Sequence, residues 1–311
     1  MIFLFFFIQG NGVGYSASLL GNADPLTAAY SISKQFSRPL DLIEVKQKGK
    51  IIYHSGLFVS WGTFADCDNN SNFKWFGNSR YTLQSLVSVV SNHTIHGKVS
   101  YLPAENQTMS FCSGEFCSHC IESVRSFSSN PHNSNESVDS QLSTDGSLQP
   151  HSNPLTPMNR STDNIGERMD KGEELHLESP NVRLDGGDGE ETEDWVEESG
   201  EFMMVTGCNM SDITQGIRIA PYAHPSDGCI DLLILRKAPM SELSKILFSL
   251  KNGTYVNNPN FNSSGYFIYV KVKAFKIESH DTTSYYSVDG TKVKSKSPIT
   301  CRVLPAKAVI G

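Results

Sequence analysis

Basic residues are in short supply in this sequence: 26 Lys and Arg stand against 33 Asp and Glu, for a formal net charge of −7 with only 19% of residues charged. Such a chain has no positive field to offer a polyphosphate, which excludes DNA or RNA as its natural partner. Long apolar runs are missing too. The stretch Met1–Ile8 is apolar but covers eight residues, far short of the roughly 20 that a membrane helix needs, and it lacks a basic n-region. It reads as a buried strand entering a turn at Gly10, and no other stretch is long and apolar enough to cross a bilayer. The seven cysteines, spread from Cys67 to Cys301, have no dense framework spacing, which points to a reducing, cytoplasmic compartment. No Gly-x-Ser-x-Gly elbow accompanies His54 or His224, so a nucleophilic hydrolase has little support. Repeats of solenoid period, lipidation signals and polybasic clusters are also lacking.

What is present is enough apolar matter for a real core, 38% hydrophobic and 10% aromatic residues, in three regions of distinct composition. In residues 1–103, apolar runs alternate with turn signals. Asp24-Pro25 caps a helix through Tyr30, Ile32 and Phe36; Leu40–Val45 predicts a strand, and Lys46–Lys50 a turn into a second strand ending near Ser60. A further helix is expected from Asn78 or Ser79, with Leu83, Leu86, Val87 and Val90 on one face. Residues 104–195 are rich in Ser, Asn, Pro, Gly and acids and read as a disordered insertion. Residues 196–311 predict strands at Phe202–Thr206, Ile217–Ala220, Ile230–Leu235 and Tyr266–Ile277. Alternation in the last of these reads as a half-buried antiparallel strand. One helix, Ser241–Leu250, is expected to end before Gly253. The fold class is therefore α+β, the tail of an α/β unit followed by an antiparallel β domain.

Chemistry could sit at two places. Gly10-Asn11-Gly12-Val13-Gly14 follows an apolar strand and precedes a helix, where backbone N–H groups can cradle phosphate, although a plain loop has the same look. Downstream come Trp61-Gly62-Thr63-Phe64-Ala65-Asp66-Cys67-Asp68, then Phe73-Lys74-Trp75-Phe76-Gly77, Ser79-Arg80-Tyr81-Thr82-Leu83 and Gly97-Lys98-Val99-Ser100-Tyr101-Leu102-Pro103. The Asp66/Asp68 pair could hold a cationic amine while the aromatics wall an apolar tail; a turn with solvated acids is the plainer reading.

This order of motifs resembles the sphingosine kinases, lipid kinases of the diacylglycerol kinase catalytic-domain superfamily. They share a Trp-Gly-x-x-Ala-Asp-x-Asp block, a Phe/Tyr-basic-x-x-Gly element, an Arg-x-Thr-Leu element and a Gly-basic-x-x-Tyr-Leu-Pro strand. The likeness resumes at Ala220-Pro221, Asp227-Gly228-Cys229-Ile230-Asp231-Leu232 and Val288-Asp289-Gly290. It implies residues 1–45 as the C-terminal part of an α/β nucleotide-binding domain. Residues 46–103 and 196–311 would be the two parts of a β-sandwich lipid-binding domain, split by the insertion at 104–195. It also implies ATP and Mg²⁺ as cofactors, phosphorylation of the primary hydroxyl of a sphingoid base, and transient contact with a membrane surface. By the same resemblance Asp68 holds the lipid's polar head; Phe64, Cys67 and Tyr81 line the acyl tunnel; and Gly10, Asn11, Lys74, Arg80 and Asp289 face the nucleotide. Calmodulin binding, known in some members, is not expected here, because the stretch from Arg80 to Lys98 has few basic residues.

The sequence departs from that pattern in three places. Gln9 replaces the Ser/Thr of the phosphate loop, Thr291 stands where the family has Glu after Asp-Gly, and the Gly-Asp-Gly turn with the catalytic base is expected upstream of Met1. A chain truncated in this way would transfer phosphate slowly or not at all. Gly186-Gly187-Asp188-Gly189 reads as a coincidence in the acidic stretch. A sphingoid-binding pseudokinase, or a ceramide or diacylglycerol kinase, are the rival readings. Separately, Cys112, Cys117, His119 and Cys120 could complete a zinc site, although their spacing is not that of a standard finger and a loop of reduced cysteines is the plainer expectation.

Overall fold

Turn residues cut this chain into short strands, and almost all of them find antiparallel partners. The computed structural model describes residues 2–4, 12–34, 38–69, 93–105, 109–112, 117, 120, 194–214, 216–250, 252–257 and 265–310. All belong to one compact unit, residues 1–130 with 186–311; a second unit, 131–185, lies outside the described residues. In chain order the elements are β1 (Ile2–Leu4), α1 (Gly12–Leu20), α2 (Pro25–Ser33), β2 (Arg38–Gln47), β3 (Lys50–Ser55), β4 (Phe58–Gly62), α3 (Thr63–Asn69) and β5 (Ile95–Pro103). After the insertion come β6 (Val196–Cys208), β7 (Asp212–Thr214), β8 (Ile217–Arg218), β9 (Ile230–Arg236), α4 (Met240–Leu250), β10 (Phe267–Ser279), β11 (Tyr285–Val288), β12 (Thr291–Lys294) and β13 (Ile299–Ile310).

Eleven strands form one sheet in the order β12-β11-β4-β6-β5-β10-β13-β2-β3, with β1 parallel on β13 and β9 bridging β10 and β6. Strands β6, β5, β10 and β9 thus pair in a closed ring, which rolls the sheet and gives it an inside. That inside holds Val99, Phe202, Val205, Ile230, Leu232, Ile234, Val272, Phe275 and Ile277. A second apolar cluster lies on the other side of these strands, where Leu19, Phe58, Phe64, Met203, Met204, Leu233, Leu243, Phe267 and Tyr269 pack together. Each fully buried Phe or Leu in such a cluster contributes about 1.5–3 kcal/mol. The α+β class expected from the sequence is the class observed.

Strand β10 belongs to both clusters. Phe267 and Tyr269 face one, while Ile268, Val270 and Val272 face the other. A register shift against β5 between Val272 and Ala274 then brings Phe275 and Ile277 onto the inner side. The strand is antiparallel as expected, but it is covered on both faces rather than half-buried, and its alternation is broken by that bulge. The strand expected to run to Ser60 is in fact two, β3 and β4, bent at Gly56-Leu57 for a reason given below. The strand expected at Ile217–Ala220 stops at Arg218, because Ala220 accepts from Ala223 N–H in a turn.

Helix α2 has the cap the sequence advertises: Asp24 Oδ2 accepts from Thr27 N–H at 3.0 Å, with Pro25 at the first helical position. It ends at Ser33, and Phe36 lies outside the described residues, as does the helix expected at 78–90. Helix α4 begins at Met240 and buries Leu243 and Ile246. No helix among the described residues is long and apolar enough to cross a membrane.

Candidate functional site

The Trp61–Asp68 block is where β4 turns into α3. Trp61 is fully buried and its indole N–H donates to Ser284 Oγ at 3.2 Å. Gly62 follows at φ +88°, and a Cβ there would stand 2.4 Å from the Met203 carbonyl oxygen, so only glycine makes this corner. Thr63 Oγ1 donates to that same carbonyl at 2.9 Å and seats the first turn of α3.

Helix α3 sorts its acids by spacing. Positions 66 and 68 lie about 200° apart around a helix and share no face, whereas positions 64 and 68 lie one turn apart on the same one. Phe64 is buried in the core cluster that includes Met203 and Met204. Asp66 points the other way: His93 Nδ1 is 3.8 Å from its carboxylate. Burial raises the Asp66 pKa above the usual carboxylate range, and the nearby His93 and Lys292 charges pull it back in part.

Helix α1 is anchored behind Gly10-Asn11 by close contact with β7. A Cβ on Gly14 would meet the Ile213 carbonyl oxygen at 2.6 Å, and Asp212 N–H donates to Ser18 Oγ at 2.9 Å. The N–H groups of its first turn, which have no partner within a helix, lie in a turn without an acid and are the donor set an anionic phosphate takes. Tyr15 reaches from α1 to Gly56, where its hydroxyl occupies the space of a Cβ at 2.3 Å. There it meets Asp289, whose charge adds to burial in raising the Tyr15 pKa.

Asp289 itself is committed to the turn between β3 and β4. Its Oδ1 accepts from Ser55 Oγ at 2.7 Å, Phe58 N–H at 2.9 Å and Leu57 N–H at 3.2 Å, and its Oδ2 from Gly56 N–H at 3.0 Å. These bonds bend the chain at Gly56-Leu57 and split β3 from β4. The carboxylate that the resemblance sets beside the nucleotide is therefore already held by four donors, and Thr291 beside it is exposed.

A buried charge network lies beneath the loop before β9. Lys271 Nζ, 2% exposed, donates to Asp227 Oδ2 and Asp231 Oδ2, each at 2.8 Å, and to the Tyr222 carbonyl oxygen at 2.8 Å. Burial alone would lower the Lys271 pKa, but the two carboxylates outweigh it and keep the ammonium protonated. Tyr269 Oη donates to Asp231 Oδ1 at 2.6 Å. Nearby, Asp41 accepts from Gly228 N–H at 2.6 Å and Ala306 N–H at 2.7 Å, tying this loop to β2 and β13. Burial pushes Asp41 up to about 7 despite those bonds. The Asp227–Leu232 motif is legible in the sequence, but its tie to Lys271 is not; a lysine within the otherwise apolar run Tyr266–Val272 was the available signal.

Of the residues singled out in the sequence, Phe64, Asp66, Cys112, Cys117, Cys120 and Asp289 have described side chains. Cys67 and Asp68 are described by their backbone on α3. Gly10, Asn11, Lys74, Arg80, Tyr81 and His119 lie outside the described residues.

Residues 175–310 match the family described as the YegS C-terminal NAD kinase beta sandwich-like domain. Sphingosine kinase 1 of Arabidopsis thaliana is 27% identical over 274 residues, 86% of this chain and 44% of that protein. Ceramide kinase of Homo sapiens is 22% identical over 277 residues, 88% of this chain and 41% of that protein. A crystal structure of a putative diacylglycerol kinase from Bacillus anthracis str. Sterne shares the fold at a TM-score of 0.51 and 13% identity, covering 97% of this chain and 65% of that one. The chain spans less than half the length of either curated relative. In sequence it is sphingosine kinase-like, and in fold it is like the diacylglycerol kinases.

Proposed function

We propose that this chain serves a lipid kinase of the sphingosine type, in which ATP donates a phosphoryl group to the primary hydroxyl of a sphingoid base. One observation carries the reading: the backbone of α3 sets position 68 on the same face as buried Phe64, one turn further on, with Asp66 turned elsewhere. An acid on the helix face of a buried aromatic suits a ligand with a cationic amine joined to an alkyl chain. Neutral diacylglycerol would leave such a carboxylate desolvated with no counter-charge.

In this reading the chain's own residues bind and orient. Asp68 pairs with the ammonium, and Phe64 belongs to the apolar wall that receives the chain. The first turn of α1 offers backbone donors to phosphate oxygens. None of these residues removes the proton from the hydroxyl. Because the lipid resides in a bilayer, the encounter takes place at a membrane surface.

The human ceramide kinase match over 88% of the chain favours a second reading, in which the acceptor is an amide-linked, uncharged lipid. Displacement of fluorescent sphingosine from the purified chain by unlabelled lipids separates the two. Sphingosine should displace the probe at least tenfold more effectively than ceramide or diacylglycerol. Equal displacement by all three would overturn the sphingoid assignment. Sphingosine binding without measurable ATP binding would instead point to a non-catalytic sphingoid-binding protein.

A further inference from the structure

Three cysteines of the insertion and one histidine from the far half of the chain meet at a single point. The ligand atoms of Cys112, Cys117, Cys120 and His224 all lie within 4.8 Å of one another, and all four residues are buried. Cys112 Sγ and Cys120 Sγ are 3.8 Å apart; His224 Nδ1 lies 3.6 Å from Cys117 Sγ and 3.4 Å from Cys120 Sγ. A tetrahedral zinc ion bound at about 2.3 Å by sulfur and about 2.0 Å by nitrogen sets its ligands about 3.8 Å apart for two sulfurs and about 3.5 Å for sulfur and nitrogen. These three distances match such a shell, and every other ligand pair lies within 4.8 Å. The sulfur–sulfur distance is too long for a disulfide, and none of the three cysteines is in one.

The histidine is held for the task. Its Nε2 lies 3.1 Å from the Ser110 carbonyl oxygen. A ring nitrogen facing a carbonyl carries the proton, which leaves the lone pair on Nδ1, the atom turned toward the thiols. The loop bearing His224 is fixed independently: Pro225 O accepts from Asp41 N–H at 2.7 Å and Tyr222 O accepts from Lys271. The cysteine segment docks on the same loop through Cys112 N–H to Pro221 O at 3.1 Å and an edge-to-face contact of Phe111 with Tyr222.

We propose that Cys112, Cys117, Cys120 and His224 bind one zinc ion, which fastens the start of the insertion to the loop before β9. With four protein ligands the shell is closed, so the ion is structural rather than catalytic. Binding turns three thiols into thiolates, releases their protons to solvent and leaves a complex of charge −1; no oxidant or reductant takes part. The fourth ligand is His224, from 104 residues beyond Cys120, and not His119 from the same segment. The proposal is independent of the lipid specificity argued above.

The test is metal analysis of the untagged full chain, purified under reducing conditions without chelator. About one zinc per chain is expected, retained on dialysis. Replacement by Co²⁺ should give the ligand-field and thiolate charge-transfer bands of tetrahedral sulfur coordination. His119→Ala should keep the metal, whereas His224→Ala should lower occupancy at least tenfold or fail to fold. Wild-type protein that holds no zinc as purified and takes up neither Zn²⁺ nor Co²⁺ when reduced would overturn the proposal. Loss of metal in His119→Ala with retention in His224→Ala would overturn the ligand assignment. Neither readout uses a lipid, so failure here leaves the lipid reading standing.

Discussion

Asp289 and Phe58, 231 residues apart, exchange two hydrogen bonds: Phe58 N–H donates to Asp289 Oδ1 at 2.9 Å, and Asp289 N–H donates to the Phe58 carbonyl oxygen at 3.1 Å. The pair joins the β11–β12 hairpin to the turn that starts the Trp61–Asp68 block. Asp289→Ala leaves Gly56, Leu57 and Phe58 N–H groups without their acceptor, and should cost about 3–5 kcal/mol. Ser55→Ala removes one neutral donor and should cost about 1 kcal/mol. Urea denaturation of the two variants checks the ranking, and near-equal losses would show that the carboxylate is not the clamp.

Glycine replacements should separate into two groups. Gly62→Ala meets the Met203 carbonyl at 2.4 Å, and Gly97→Ala meets the Glu278 carbonyl at 2.3 Å and the Trp61 ring at 2.7 Å. Backbone atoms cannot swing aside, so each should cost about 2–4 kcal/mol. Gly49→Ala also sits at a positive φ, +73°, as Gly62 does at +88°, but has nothing within 4 Å, and should cost only about 1 kcal/mol. Thermal melting of the three variants reads the order directly.

Removing Lys271 should be worse than removing the whole charge network. Lys271→Met strands Asp227 and Asp231 in the interior and should destabilise by about 3–5 kcal/mol. Adding Asp227→Asn and Asp231→Asn to that variant should recover a large part of the loss. If the triple variant is less stable than Lys271→Met, the remaining bond of Tyr269 to the Asp231 carboxylate matters more than charge balance.

Asp41 gives the fold a pH dependence of known sign. Its carboxyl titrates near 7 when folded and near about 3.9 when unfolded, so the folded state holds the proton more tightly. The contribution is fully present below about pH 4 and is lost as pH rises toward about 7, with an upper bound on the order of 4 kcal/mol. Asp41→Asn cannot ionise, and its stability should therefore fall less than that of the wild type between about pH 4 and about pH 8. Parallel profiles for the two proteins would show that Asp41 does not titrate in this window.

Local signals carried much of the fold. The Asp24-Pro25 cap and the apolar runs that become β9 and β10 are short-range features, and the structure has each of them. What the sequence hid depends on distance along the chain. The break between β3 and β4 comes from Asp289, and the second covered face of β10 from a core cluster that Met203, Met204 and Leu243 join from distant segments. The cysteine cluster was visible at 112–120, but its histidine was sought next door at His119, while the fold supplies His224. Spacing along one segment cannot show a ligand that topology brings from another.

Sphingosine binding by Asp68→Asn, set beside Asp66→Asn, tests the central claim most directly. Both substitutions keep size and remove a charge, and only position 68 shares the helix face of Phe64. Asp68→Asn should weaken sphingosine binding at least tenfold, the size expected for a lost charge-assisted bond, while Asp66→Asn changes it less than about twofold. Unchanged binding in Asp68→Asn, or an equal loss in both variants, would contradict the account.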